Sequence, residues 1–151
     1  MTGIRYYFED LHEGQNWTFG TWSLTADEIV AFGREYDPQP IHTDPGFAGN
    51  TAFGGVIASG WQSCLKCIRL FVDGVMRETA GLSSPGLSEV SWFKPVKAGE
   101  TITARAEVTK VEPSETRPDR GKVHFHIFGT DAAGKPVVSM RGFFFIARRP
   151  A

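Results

Sequence analysis

From Trp61 to Val75, apolar side chains recur at the spacing of a single helix. Trp61, Cys64, Leu65, Ile68, Phe71, Val72 and Val75 fall on one face, and Gln62, Lys66, Arg69 and Asp73 on the other. Ser59 stands at the N-cap position. The stripe by itself predicts a core helix and nothing more. The chain beyond this helix reads as strands. Leu87 to Phe93 alternates imperfectly, and Lys94 to Glu100 reads as a turn. Thr101 to Val111 puts Ile102, Ala104, Ala106 and Val108 on one face. Glu112 to Gly121 is a polar loop. Val123, Phe125 and Ile127 alternate with His124, His126 and Phe128. Asp131 to Gly134 is a hairpin turn, and Val137 to Ala147 is the last strand. Long strands joined by short turns predict an antiparallel meander, and one long helix against it makes the fold α+β.

The first third of the chain is more mixed. Tyr6 to Leu11 is expected to be a short edge segment, and Gln15 to Leu24 a strand broken at Gly20. Thr25-Ala26-Asp27-Glu28 has the capping-box pattern, so a helix is expected next, with Ile29, Phe32, Gly33 and Tyr36 on one face. That helix ends by Asp37 because Pro38 comes next. Residues 43–55 form a loop, with one helical turn near Pro45 to Ala48.

At 151 residues the chain is expected to be one domain, 1–151. A formal net charge of −1 gives no basic excess for a phosphate backbone, so nucleic acid is not an expected partner. The most apolar run, Val56 to Met76, is interrupted by Lys66, Arg69 and Asp73, and no membrane span is expected. The first residues lack an apolar leader segment, and a cytoplasmic location is the expectation. Cys64 and Cys67 have C-x-x-C spacing but lie inside the helix without a second pair, so they are read as core packing. His124 and His126 share a strand face with no evident third ligand. They are read as surface residues, and no metal or cofactor is expected. Arg117 and Arg120 sit in a turn-like loop and are read as solvated.

The chemistry concentrates in Tyr36-Asp37-Pro38-Gln39-Pro40-Ile41-His42 and in Phe53 to Trp61. Asp37 and Gln39 both precede a proline and are pushed out of the helical region. An extended segment would carry Asp37 and His42 too far apart to share a water, so a curved loop is expected. A carboxylate and an imidazole on a stiff segment suit proton transfer, which needs positioned groups. Gly60 opens the long helix, where a free backbone N–H lies at the positive end of the macrodipole. Gly54 and Gly55 serve the turn before it.

These two stretches resemble the MaoC-like dehydratase family, which includes the (R)-specific enoyl-CoA hydratases of the hot-dog fold. The family motif reads roughly D-x-N-P-x-H, then a glycine-rich turn ending in His-Gly. Asp37, Pro40, His42 and Gly60 match it, while Gln39 replaces the usual Asn and Ser59 the usual His. The resemblance implies an antiparallel sheet wrapped around one long central helix. It implies reversible hydration of a 2-enoyl thioester, with an acyl-CoA as the expected substrate. Asp37 would be the base, His42 would orient the water and relay its proton, and Gly60 would be the oxyanion position. It implies a homodimer or a dimer of dimers with the acyl pocket at the interface. A hot-dog thioesterase, acting at the thioester carbonyl, is the alternative enzyme. A non-catalytic acyl-thioester-binding protein is the alternative without chemistry.

Overall fold

The computed structural model describes residues 3–151. Strand β1 (Asn16–Trp22) leads through α1 (Ala26–Tyr36) and two short helices, α2 (Pro40–Thr43) and α3 (Pro45–Gly49), to the long α4 (Gly60–Gly74). Then come β2 (Gly81–Ser83), β3 (Leu87–Trp92), β4 (Ile102–Pro113), β5 (Arg120–Thr130) and β6 (Pro136–Ala147). The six-stranded sheet is antiparallel in order β1-β4-β5-β6-β2, and β3 also pairs with β6. Only β4, β5 and β6 therefore form the expected meander. β1 reaches the sheet through β4, and β2 and β3 reach it through β6. The register of β1 slips between Thr18 and Gly20, where a break is expected. The expected short edge segment, Tyr6 to Leu11, consists of a single bridge from Tyr6 to Thr79 and a 3-10 turn at Phe8–Asp10.

The sheet curves around α4, which makes this a hot-dog fold. Ile102, Ala104, Ala106 and Val108 of β4 and Val123, Phe125 and Ile127 of β5 are all buried on the inner face, as their alternation requires. Phe71 of α4 meets the rings of Phe19, Phe125 and Phe144 at centroid distances of 6.1, 5.1 and 5.8 Å. Burying such a ring contributes about 1.5–3 kcal/mol. Cys67 accepts the Trp22 Nε1–H at 3.3 Å, and burial pushes its thiol up to about 11. Both cysteines are buried and free, so they pack rather than react.

The phase of α4 differs from the reading of its stripe. Cys64, Cys67, Phe71 and Val75 are the buried apolar residues, while Trp61 and Leu65 are each 52% exposed. At 3.6 residues per turn these are two stripes about a quarter turn apart. The sheet covers only the first. Gln62, expected to face solvent, is buried instead. Its amide donates to the Glu28 carbonyl at the start of α1 at 3.2 Å.

Two other differences are local. Tyr36 is exposed, because the buried side of α1 runs through Ile29 and Gly33 and stops there. β2 has no alternation to betray it, being three exposed residues. Among the described residues no helix is long and apolar enough to cross a membrane.

Candidate active site

The capping box at Thr25 forms as expected, with Thr25 Oγ1 accepting the Glu28 N–H and Glu28 accepting the Thr25 N–H. It starts α1, and Pro38 stops it, so Asp37 is its last capped residue, with its N–H on the Gly33 carbonyl at 2.8 Å. Pro40 at the first position of α2 then winds the chain into one helical turn. The segment is thus not a plain loop, because His42 sits on that turn. Gly33 permits the close packing of α1 on α2: a Cβ there would lie 3.0 Å from the His42 Cβ.

Asp37 and His42 come together across this turn, with His42 Nε2 at 3.4 Å from Asp37 Oδ2. His42 is 5% exposed, and its Nδ1 lies 2.6 Å from the Ile57 carbonyl. A carbonyl only accepts, so Nδ1 carries a proton there, and Nε2 is the ring nitrogen turned toward Asp37. The Ile57 N–H donates to the Ile41 carbonyl at 3.1 Å, which ties the second sequence stretch to the first.

Asp37 is held on both oxygens. Gln39 Nε2 donates to Oδ1 at 2.7 Å, and Ser59 Oγ donates to Oδ2 at 2.8 Å. The carboxyl is lowered from its ordinary value by the Gln39 hydrogen bond, then by that of Ser59 and by the charge of His42, against partial desolvation.

Ser59 occupies the N-cap position of α4 but makes no side-chain cap. Its carbonyl takes the N–H groups of Gln62 and Ser63, so those of Gly60 and Trp61 have no intrahelical acceptor. Above Gly60 lies Trp92, the last residue of β3, whose Nε1–H donates to the Gly60 carbonyl at 2.8 Å. The Trp92 ring packs edge-on to Trp61 at 5.1 Å.

Asp37, His42, Gly60, Trp61, Trp92 and Phe93 line one cavity of about 460 Å³. Lys94 also lines it, but its ammonium is held by Asp131 at 2.8 Å. All three sequence-predicted residues thus share a single space. His124 and His126 do not reach it: His124 pairs with Glu112 at 2.8 Å and His126 with Ser139 at 2.7 Å, on β5. Arg120 is engaged by its neighbour Asp119.

Residues 12–124 match the model of the MaoC like domain. This chain belongs to that family. The MaoC-like chain is 32% identical over 116 residues to a protein of Rhodospirillum rubrum named (R)-specific enoyl-CoA hydratase, covering 74% of this chain and 76% of the relative. In structure it is similar to a MaoC-like dehydratase from Rhodospirillum rubrum, with a TM-score of 0.84 and 30% identity over 97% of this chain and 100% of the other. It is also similar to a protein of Archaeoglobus fulgius described as a monoamine oxidase regulatory protein. That match has a TM-score of 0.88 and 25% identity over 99% of both chains.

Sequence reasoning missed the parts played around the MaoC-like motif by Gln39, Ser59, Ile57 and Trp92. Gln39 stood out as a departure from the motif, and Ser59 as a departure and as an N-cap, neither as a partner of Asp37. Nothing local marked the Ile57 carbonyl or the Trp92 indole, whose partners lie far away in the chain.

Proposed function

We propose that residues 1–151 form one MaoC-like unit that adds water reversibly across the double bond of a 2-enoyl thioester, with coenzyme A as the acyl carrier. One observation carries the reading: His42 Nε2 and Asp37 Oδ2 face each other at 3.4 Å in the cavity that Gly60 lines. A carboxylate and an imidazole nitrogen at this distance can hold a water between them, with its oxygen free to attack.

In this reading the water oxygen bonds to Cβ as its O–H bond breaks. Asp37 accepts the proton as base, and His42 orients the water and relays the proton to Cα. Electron density from the double bond passes to the thioester oxygen and returns when Cα is protonated. The Gly60 N–H, at the positive end of a 15-residue helix, receives that oxygen. Trp61, Trp92 and Phe93 offer an apolar wall for the acyl group. The hydratase name of the Rhodospirillum rubrum relative supports the same chemistry.

The test monitors enoyl absorbance on mixing the protein with crotonyl-CoA and longer 2-enoyl-CoAs, with a free-thiol assay alongside. Absorbance falls without thiol release if the proposal holds. Thiol release would instead make the chain a thioesterase. No change with any chain length would leave acyl binding without hydration.

We also propose that the chain forms a homodimer, or a dimer of dimers. Among the described residues β3 pairs on one side only, with β6. Leu87 and Trp92 on it are 43% and 45% exposed, and the uncovered stripe of α4 carries Trp61 and Leu65. An open strand edge flanked by apolar side chains invites a second copy. Sedimentation at micromolar concentration is expected to give a dimer or larger, and a stable monomer would overturn this part.

A further inference from the structure

We propose that Gln39 and Ser59 are positioning residues that clamp Asp37 from both sides, holding its carboxylate ionised and aimed at His42. The clamp rests on the hydratase reading, because it gives that reading's base its supports. It involves the two positions at which the chain departs from the family motif.

The geometry is specific. Ser59 is fully buried, and a buried hydroxyl at an N-cap would ordinarily accept an N–H of the first turn. Here it turns away from its own helix and donates to Oδ2, the same oxygen that faces His42 Nε2. One hydroxyl therefore does two things. It fixes the carboxylate, and it leaves the first amides of α4 uncapped beside the cavity.

Gln39 closes the other side. Its amide reaches Oδ1 across Pro38, and the Gln39 N–H donates to the Asp37 carbonyl at 2.8 Å, so backbone and side chain form one tight loop. With both oxygens engaged, the carboxylate plane cannot swing. Donors on an ionised oxygen favour the ionised form.

Among the described residues, two charged or titratable side chains share the cavity with Asp37. His42 faces it from α2. Lys94, from the segment after β3, lines the same cavity but is paired with Asp131 and Glu100. The α4 side presents Ser59, a neutral donor, and Gln39 is neutral as well. Each donor holds a different oxygen of the Asp37 carboxylate, so a proton on either oxygen displaces or weakens a clamp bond, and the clamp opposes protonation. The carboxylate stays charged as pH falls, down to below its ordinary range.

The experiment combines two readouts on Ser59→Ala, Gln39→Ala and Gln39→Glu. The first is the titration of the Asp37 carboxyl carbon by NMR, assigned with Asp37→Asn, which needs no substrate. The second is the pH profile of kcat/KM for crotonyl-CoA. Both are expected to move upward in each variant, and most in Gln39→Glu, which replaces a donor with an acceptor. At neutral pH kcat/KM should fall about tenfold for each alanine variant, the worth of a hydrogen bond to a charged group.

A merely structural role would lower the melting temperature and leave the Asp37 titration where it is, and that outcome overturns the clamp. Gln39 is exposed, so its variants stay informative if Ser59→Ala folds poorly. If the titration moves but the native protein hydrates nothing, the clamp stands and the hydratase reading falls. If hydration is present and the titration does not move, the reverse holds.

Discussion

Asp37→Asn is expected to lower kcat/KM for enoyl-thioester hydration by about a thousandfold, inside the range for removing a positioned acid or base. The change is nearly isosteric. It removes the charge, and it places an amide N–H or a neutral carbonyl where His42 Nε2 faces an anion at 3.4 Å. An N–H there would compete with the water for His42 Nε2. A neutral carbonyl would keep the water but could not take its proton. Either way the pair stops working as a unit. Folding should be little affected, since Asp37 caps α1 through its own backbone N–H rather than its side chain. His42→Ala should be as inactive but less stable, because it strips the Ile57 carbonyl of its donor, a loss of about 1–3 kcal/mol for a buried group. Steady-state kinetics with a thermal melt separates the two effects. Asp37→Asn retaining more than a tenth of native activity would remove Asp37 from the base's role.

What could be read in the sequence was local, or repeated along one element. The capping box at Thr25 and Glu28 needs only neighbours in the chain. The inner faces of β4 and β5 derive from a period of two, with every expected residue from Ile102 to Ile127 buried. Asp37 and His42 meet because Pro38 and Pro40 leave the intervening backbone little choice. The phase of α4 was different. Its apolar arc is wide enough to offer two stripes, and which one is buried depends on where a distant sheet lies. Ser59 shows the same limit at one residue. Its sequence context specifies an N-cap, yet it bonds Asp37, 22 positions away. Trp92 reaches Gly60 across 32 positions. Partners at that distance are set by the assembled fold, and no spacing within either segment encodes them.

Gly60→Ala should be damaging for two separable reasons. The first is room. A methyl group at this position would run into the Trp92 indole. That ring has little freedom to yield: its Nε1–H is on the Gly60 carbonyl at 2.8 Å, and Trp61 packs against it at 82° between ring planes. Forcing it aside is expected to cost about 1–3 kcal/mol, as overpacking does. The second is access. If the thioester oxygen uses the Gly60 N–H, a methyl beside that amide keeps it at a distance. Loss of such a donor lowers kcat by about a hundredfold to a thousandfold. The double variant Gly60→Ala with Trp92→Ala tells them apart. Removing the indole gives the methyl its space, so the stability losses should fall short of additive, as for residues in contact. Activity should not return, because the methyl still stands between substrate and amide. Recovery of both together would mean that Gly60 serves only to seat Trp92. Native activity in Gly60→Ala alone would mean that the amide is not used at all.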